Sequence, residues 1–327
     1  MKLKTVFIIF VSALLVSCSV NDENSYEPNI YIVGGNDITE EIMPTSVLWL
    51  NDNIVELSSK PSGATSVYVD GDNVYAAGYE FDNSGTYHAT LWKNGNATTL
   101  SQVSSCALSV FAHGKVYVAG YQGDNTNFTA TLWVDGVATS LSVFNSRAYS
   151  VYVSKGKIYV VGAIENNDDY NAVVWVNGIK TVLSNQSSVA SSVFVKNNNV
   201  YIAGKENDKA VIWVNGVATA LSTEYSDARS VFVTNNNTVY VAGNNNYIAT
   251  VWKNGISTAL STDYSTASEV FVAGNKVYVA GISDEFIDHQ VGFPTLWVDG
   301  EKQILSTEGI TRFIDPFNFY VSSIFVR

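Results

Sequence analysis

Histidine and carboxylate side chains are the groups in this chain that could act as acids, bases or metal ligands. Only three histidines occur in 327 residues, and two of them have acidic neighbours in sequence. The two groups are His88 with Glu80 and Asp82, and His289 with Asp284, Glu285 and Asp288. Such groups suit metal binding or acid–base chemistry, but neither has a motif spacing, and phosphate-binding and dinucleotide-binding loops are missing. We therefore assign no catalytic residue, metal ion or cofactor, and place His88, Asp284, Glu285, Asp288 and His289 in a ligand-binding site.

The two cysteines have different predicted roles. Cys18 ends an N-terminal segment that begins with Lys2 and Lys4 and continues as an apolar run too short to span a bilayer. With its closing Leu-Val-Ser-Cys, the segment resembles a bacterial lipoprotein signal. That resemblance implies that residues 1–18 form the signal, of which Cys18 is retained as the lipidated N-terminus. The alternative is an ordinary secretory signal.

The segment after Cys18 fits a tether. Residues 19–28 are polar and short, and Asp22-Glu23 resembles the acidic patch that follows the lipid in some surface-exposed lipoproteins. We therefore predict a cell-envelope protein held by the lipid on Cys18, most simply at the outer membrane, on either its periplasmic or its outer side. Cys106 is then the remaining cysteine, so packing rather than a disulfide must stabilise the chain. It is expected to be a small buried residue, not a nucleophile.

The charge balance excludes one class of partner. The chain has 18 basic and 30 acidic side chains. Removing the signal takes Lys2 and Lys4, so the mature balance is 16 against 30, or −14. Such an acidic surface is a poor partner for nucleic acid or anionic lipid headgroups.

Seven tryptophans divide the chain into repeats. Each is followed eight residues later by a leucine, and six of the seven intervals contain Asn-Gly or Asp-Gly. The tryptophans are Trp49, Trp92, Trp133, Trp175, Trp213, Trp252 and Trp297. Asn-Gly and Asp-Gly tolerate the two positive φ values of a type I′ turn, and Asn51-Asp52 replaces them in the first copy. Each unit is therefore predicted to be a tight β-hairpin with an aromatic anchor.

Two further apolar runs precede most tryptophans. The nearer one has the pattern Val-Tyr-Val-Ala-Gly, as in residues 116–120, and the earlier one the pattern Ser-Val-Phe, as in residues 109–111. Short runs rich in β-branched residues are typical of strands buried on both faces. We therefore predict four antiparallel strands per unit, A to D, repeated seven times as an all-β, seven-bladed propeller over residues 29–327. Alanine precedes strand A in six copies, which favours strand A for the crowded innermost position.

The two ends of the chain complement each other. Residues 30–34 match a strand B that has no strand A before it, and residues 322–327 match the missing strand. We therefore expect the C-terminal strand to join the N-terminal blade and close the ring, which removes the exposed sheet edges.

The hairpin sequence also carries a resemblance. His88-Ala89-Thr90-Leu91-Trp92-Lys93-Asn94-Gly95 resembles the bacterial extracellular repeats named for their His-Ala-Phe motif, and Tyr31–Gly35 resembles a kelch strand. The first resemblance covers nearly the whole mature chain, although His-Ala occurs once and Thr replaces Phe. Both imply a propeller, and neither supplies a catalytic residue.

Variation in length points to one face of the propeller. The distance from the strand B tyrosine to the tryptophan ranges from 12 to 19 residues, so the B–C loops differ most, and the last D–A junction is nine residues longer than the others. Both kinds of loop lie on one face. Long loops of blade seven and of the last junction are therefore our candidate binding site. It adds Phe313, Asp315, Phe317 and Phe319 to the residues named above.

The role of these aromatic residues remains open between packing and ligand binding. They would cover the ring closure, or they would form a surface for a carbohydrate or a protein. We accordingly favour a lipid-anchored binding or interaction module. The rival is a glycan hydrolase or lyase that uses His88 and His289, and a third reading is a structural surface protein.

Overall fold

A computed structural model of the protein describes residues 27–36, 44–124, 127–143, 145–167, 169–283, 292–308 and 319–327. These residues form 28 strands in seven sheets of four strands each. Every strand pairs antiparallel to its neighbours within a sheet. In this part of the chain no helix is long and apolar enough to cross a membrane.

The strands occupy equivalent positions from blade to blade, and their bounds follow in the order of blades one to seven. The A strands are β28 (Phe319–Val326), β4 (Ser62–Asp70), β8 (Ser105–His113), β12 (Ser146–Ser154), β16 (Ser188–Lys196), β20 (Ser226–Val233) and β24 (Ser265–Ala273). The B strands are β1 (Ile30–Asn36), β5 (Asn73–Phe81), β9 (Lys115–Gly123), β13 (Lys157–Asn166), β17 (Asn199–Glu206), β21 (Val239–Asn245) and β25 (Lys276–Ser283). The C strands are β2 (Thr45–Leu50), β6 (Tyr87–Lys93), β10 (Phe128–Val134), β14 (Asp169–Val176), β18 (Lys209–Val214), β22 (Ile248–Lys253) and β26 (Phe293–Val298). The D strands are β3 (Asn53–Glu56), β7 (Asn96–Thr99), β11 (Val137–Ser140), β15 (Ile179–Val182), β19 (Val217–Ala220), β23 (Ile256–Ala259) and β27 (Glu301–Ile304).

The predicted hairpins form the outer half of each blade. All seven C–D turns have two successive residues with positive φ, from Asn51 and Asp52 in blade one to Asp299 and Gly300 in blade seven. This is the backbone of a type I′ turn, which matches the right-handed twist of the two strands it joins. The D strands of blades two to seven are exposed along their whole length, and the D strands form the rim of the disc.

The tryptophans lie between blades. All seven are at most 1% exposed. Trp175 of blade four packs with Ala119, Ala130 and Leu132 of blade three, and Trp49 packs with residues of blade seven in the same way. An indole buries about 150–250 Å², so the repeated tryptophan supplies much of the apolar contact that joins neighbouring sheets.

Each A strand is interrupted by a β-bulge near its middle. In blade four, Ala148 pairs with Gly162 and Ser150 pairs with Val161, so Tyr149 between them has no partner. The same shift occurs in the other six blades. A Cβ on Gly162 would overlap the carbonyl oxygen of Arg147, so the bulge explains why strand B has glycine at this position. A bulge re-aims side chains, and here it turns the extra residue toward the axis.

The C-terminal strand closes the ring as predicted. Strand β28 pairs with β1, and Ile32 lies opposite Ile324. Val321, Ile324 and Val326 are at most 3% exposed in the core that joins blades one and seven. The predicted fold class, a propeller of seven four-stranded antiparallel blades with strand A innermost, is therefore confirmed.

Candidate ligand-binding face

The two ends of the disc carry different connections. We call the end with the B–C and D–A connections the upper face, and the end with the A–B and C–D turns the lower face. Most residues of the predicted site lie outside the described residues: Asp284, Glu285, Asp288, His289, Phe313, Asp315 and Phe317. Cys18 also lies outside them. Phe319 begins β28, where its backbone pairs with Asn36 of β1.

His88 lies on the upper face of blade two, within strand β6 rather than in the loop before it. Its Nε2 atom is 3.1 Å from the Asp82 carboxylate, and its Nδ1 atom is 3.2 Å from the carbonyl oxygen of Val103. Both ring nitrogens therefore already have protein partners. His88 therefore connects a B–C turn to the next D–A connection. This contact set favours a structural role over a catalytic one.

Asp82 organises the turn beside His88. One carboxylate oxygen accepts hydrogen bonds from the Ser84 hydroxyl and from the backbone N–H groups of Ser84 and Thr86. The hydrogen bond from Ser84, followed by that from His88, holds the pKa of Asp82 well below its usual range. Glu80 is similarly engaged, by Ser58 and Lys60. Among the described residues no cluster of three or more histidine, cysteine or acidic side chains has the geometry to hold a metal ion.

Cys106 behaves as the sequence predicts. It is 4% exposed in strand β8, and burial raises the pKa of its thiol to about 12. A thiol with such a pKa stays protonated at neutral pH, so Cys106 is a packing residue.

A ring of hydrogen bonds surrounds the axis just below the bulges. In six blades the ring residue is a serine whose Oγ accepts a hydrogen bond from a backbone N–H of the next blade, as Ser66 does from Val110. The remaining five serines are Ser109, Ser150, Ser192, Ser230 and Ser323. In blade seven the ring residue is Glu269, whose carboxylate accepts from the N–H of Ile324 at 2.8 Å. The ring therefore joins every blade to the next around the whole molecule.

The upper mouth of the axis is too small for most ligands. The bulge residues and the serine ring line a cavity of about 110 Å³. Small-molecule sites usually measure about 300–1,000 Å³, so this cavity suits a few waters. Arg229, its basic bulge residue, is held by Asp227 at 3.2 Å. Glu269 is surrounded by protein yet borders the cavity, and burial raises its pKa to about 7. These contacts point to a structural role.

Three exposed tyrosines form a cluster elsewhere on the upper face. Tyr225, Tyr247 and Tyr264 are 47%, 51% and 44% exposed. The rings of Tyr225 and Tyr247 stack with centroids 5.1 Å apart and planes 23° from parallel, and Tyr264 lies 6.0 Å from Tyr247. We call this set the tyrosine platform. It lies across blades five to seven.

The backbone holds the tyrosine platform in place. Tyr225 and Tyr264 belong to successive D–A connections, and Tyr247 lies in the B–C turn between them. The N–H of Asn246 donates to the carbonyl oxygen of Tyr225, and the N–H of Ser265 donates to that of Tyr247. The three side chains are therefore arranged before any ligand arrives, which lowers the entropic cost of binding.

Tyr247 also has an uncommon backbone conformation. Its φ is +65° and that of Asn246 is +50°, the values of a type I′ turn. A bulky aromatic residue in the left-handed region costs about 1–2 kcal/mol, and such strain clusters at functional sites. The equivalent turn of blade five has Asn207 and Asp208, residues that tolerate this region. Blade six therefore carries a tyrosine where stability alone would select glycine, asparagine or aspartate.

Sequence reasoning missed the tyrosine platform because it searched the long loops. The B–C loops of blades five and six are the shortest in the chain. The signal was nevertheless present, since Tyr247 occupies the glycine position of an Asn-x turn between two short strands. The meeting of Tyr225, Tyr247 and Tyr264 required knowledge of the spacing between blades.

Comparison with known proteins supports the fold and leaves the ligand open. No protein-family model and no curated protein matches the sequence. Among solved structures, the WD40 propeller domain of Doa1 is similar, with a TM-score of 0.51, 15% identity, and coverage of 76% of this chain and 93% of that one. The propeller domain of the Trilobed protease from Pyrococcus furiosus, described as having an open velcro topology, has a TM-score of 0.52 and 11% identity, and the similarity covers 87% of this chain and 98% of that one.

A puromycin-hydrolysing peptidase from Mycobacterium tuberculosis has a TM-score of 0.57 with 10% identity. The similarity covers 86% of this chain but 54% of the peptidase, so this chain spans about half of that enzyme. At these identities the likeness concerns the fold alone. The chain is a β-propeller.

Proposed function

We propose that this protein is an extracytoplasmic binding module that holds a neutral carbohydrate on the tyrosine platform of its upper face. The single observation that carries the proposal is the pre-arranged, half-exposed set of Tyr225, Tyr247 and Tyr264, with one member in a strained backbone conformation. Tyrosine offers a broad apolar face and a hydroxyl group at low conformational cost. Sugar rings present C–H groups to such faces and hydroxyl groups to neighbouring polar atoms.

The polar surroundings favour a neutral ligand. Glu224, Asp227 and Asp263 lie within two residues of Tyr225 or Tyr264 in sequence. Lys205, the basic group near Tyr225, is paired with Asp208 at 3.0 Å. Carboxylates accept hydrogen bonds from sugar hydroxyls, whereas they repel an acidic sugar. The tyrosine platform would also suit a protein segment, because tyrosine is enriched at protein interfaces.

The membrane anchor is part of the proposal. Lipid on Cys18 and a tether over residues 19–28 would hold the propeller in the cell envelope, at the outer membrane. The N–H groups of Asn29 and Arg327 each donate to the other's carbonyl oxygen, and β1 begins at the lower face. The tether would then leave from the lower face, so the tyrosine platform would point away from the membrane. We also propose that the repeats are of the bacterial extracellular His-Ala-Phe type, related to kelch repeats.

The alternative is a glycan hydrolase or lyase on the same scaffold. It would use His88 and His289 as acid or base. His289 lies outside the described residues, and both nitrogens of His88 are occupied by Asp82 and Val103. This contact set favours the binding module.

A glycan array probed with residues 27–327 tests the proposal. We expect retention of one or more neutral glycans by the unaltered protein, and loss of that retention in a variant with Tyr225, Tyr247 and Tyr264 all replaced by alanine. A variant with Val137, Ile179 and Val217 replaced by alanine is the matched control, because these residues are 70–75% exposed in D strands at the rim, outside the three platform loops. Retention that persists without the three tyrosines would refute the proposal, as would turnover of the glycan by the purified protein.

A further inference from the structure

A second cavity opens on the lower face, opposite the loops that vary most in length. It lies among the A–B turns of blades five, six and seven and has a volume of about 460 Å³. This volume is within the usual range for small-molecule sites. We call it the lower cavity. It is separate from the tyrosine platform, which lies on the opposite face.

A turn found in one blade forms the wall of the lower cavity. The A–B turn of blade six has five residues, 234–238, between β20 and β21, whereas those of blades four, five and seven have two. The Thr234 hydroxyl accepts a hydrogen bond from the N–H of Thr238, and the N–H of Asn237 donates to the carbonyl of Thr234. Asn197 of blade five donates to Asn237 at 2.9 Å. These bonds order the longer turn and tie it to the neighbouring blade.

The charge of the lower cavity is opposite to that of the protein. Two of its fourteen lining residues, Lys196 and Lys253, are basic, and none is acidic. The chain as a whole has 30 acidic and 18 basic side chains. None of the ion pairs between described residues includes either lysine. The Nζ atom of Lys196 donates to Asn235 at 2.6 Å, and that of Lys253 lies 5.6 Å from the ring centre of Tyr240. Within the part of the chain that the structure describes, neither positive charge therefore has a carboxylate to neutralise it, which favours an anion.

The remaining lining residues define the body of the ligand. Asn235, Asn236 and Asn275 supply amide donors and acceptors, and the rings of Phe194 and Phe232 form an apolar wall toward the axis. The two rings are 5.0 Å apart and belong to a circle of seven aromatic residues around the axis, so their positions are fixed. An aromatic wall of two tilted rings, amide groups and uncompensated cations together suit a sugar ring that carries a carboxylate.

We propose that the lower cavity is a binding site for an acidic sugar, of the uronic acid class. Lys196 and Lys253 bind the carboxylate, the asparagines bind hydroxyl groups, and Phe194 and Phe232 contact the ring. This site is independent of the tyrosine platform, whose acidic surroundings select a neutral ligand.

Calorimetric titration of residues 27–327 with sugar acids tests this site. The probes are glucuronic acid, galacturonic acid and the galacturonic acid trisaccharide, each beside its methyl ester, which keeps the shape and removes the charge. We expect at least one free acid to bind at least about tenfold more tightly than its ester, and to bind more weakly as salt rises from 50 to 500 mM, because the attraction is electrostatic.

Variants locate the site. Lys196→Gln and Lys253→Gln should each weaken binding of the free acid by about tenfold. Lys155→Gln is the matched control, because Lys155 lies on the same face one blade away and bonds to Asn198, outside the cavity. The tyrosine platform variant should bind the acid normally. Failure of every acid to bind at 10 mM, equal binding of acid and ester, or unchanged binding by both cavity variants would overturn the proposal.

Discussion

Tyr247 shows most directly how one residue links strain to function. It holds a positive φ in a turn that glycine would occupy without strain, and it supplies the central ring of the tyrosine platform. Its ring packs against Tyr225 and Tyr264, but half of the residue stays exposed, so packing alone explains the strained tyrosine poorly. His88 is a weaker candidate for ligand binding, because both of its ring nitrogens already contact protein atoms, in Asp82 and Val103.

Replacing Tyr247 should separate stability from binding. Tyr247→Gly is expected to raise the free energy of unfolding by about 0.5–1 kcal/mol, because glycine adopts the left-handed conformation without a Cβ clash. The same variant should lose glycan retention. Urea denaturation and the glycan array measure the two effects. Asn246→Gly, at the other positive φ of the turn, should leave retention intact, and a destabilised Tyr247→Gly protein would contradict the account.

Glu269 should give the protein a pH-dependent stability near neutrality. Its pKa is about 7 in the folded protein against an ordinary value of 4.5. Between these values the folded state keeps a proton that the unfolded state releases, so the free energy of unfolding falls as pH rises through this window. The fall should be at most roughly 3–4 kcal/mol, because each pH unit between the two pKa values is worth about 1.4 kcal/mol.

Glutamine at position 269 provides the test. Glu269→Gln keeps an oxygen that accepts from Ile324 and removes the titration, so its stability should change less between pH 5 and pH 8 than that of the unaltered protein. Chemical denaturation at both pH values measures the difference. Equal pH dependence of the two proteins would mean that Glu269 does not titrate in this range.

At the scale of the strand, the seven tryptophans are equivalent in packing but differ in one hydrogen bond. The indole N–H of Trp49 donates to the carbonyl oxygen of Ser306 at 2.7 Å, across the junction of blades one and seven. The indole N–H groups of the other six have no acceptor among the described residues. Blade seven also has Pro294 where other C strands offer an N–H to a serine of the next blade, as Ala130 does to Ser146. The ring closure therefore uses its own polar contacts.

Phenylalanine substitutions should reveal this difference. Trp49→Phe and Trp213→Phe remove similar volumes from similar sites, and each should destabilise the protein through lost packing. Trp49→Phe should cost about 1 kcal/mol more, because it also leaves the Ser306 carbonyl without its donor. Thermal unfolding of the two variants measures the difference. Equal costs, or a larger cost at Trp213, would contradict the role given to this bond.

At the scale of the molecule, the ring depends on its last strand. Strand β28 supplies the innermost strand of blade one and buries Val321, Ile324 and Val326 against blade seven. Deletion of residues 319–327 should expose both faces of this seam and abolish cooperative unfolding, because the loss is comparable to the whole stability of a domain. Circular dichroism on heating checks this. A synthetic peptide of the same residues should restore the transition, and an unchanged melting curve for the truncated protein would refute closure.

The architecture could be predicted from the sequence because it is repeated. Seven tryptophans give the blade count, six Asn-Gly or Asp-Gly pairs mark the hairpins, and the complementary ends indicate ring closure. The alternation of alanine, a variable residue and serine in strand A was visible too, but its meaning required the bulge that turns Tyr149 and Arg229 toward the axis. The local sequence pattern therefore predicts the blades. Which side chains line the axis depends on the register shift between strands A and B at the bulge.

The two binding surfaces could not be predicted in the same way. Loop length directed attention to residues 284–290 and to the last junction. Residues 284–290 and residues 309–318 of that junction lie outside the described residues. The tyrosine platform combines residues from three loops, and its tyrosines are separated by 22 and 17 residues in sequence. By residue type alone, none of them differs from the chain's other tyrosines. The lower cavity depends on the A–B turn of blade six, which has five residues between its strands where the matching turn of blade five has two. Both surfaces arise from differences between blades, whereas the repeat pattern reports only what the blades have in common.

Hydrogen exchange with and without a neutral glycan tests the central claim most directly, because it locates the ligand on the disc. Mass spectrometry should show slower exchange in peptides that contain residues 222–228, 244–249 and 262–267, the loops of the tyrosine platform. The A–B turns on the lower face should be unaffected. Protection on the lower face, or on the rim formed by the D strands, with no change in the three platform loops would contradict the account.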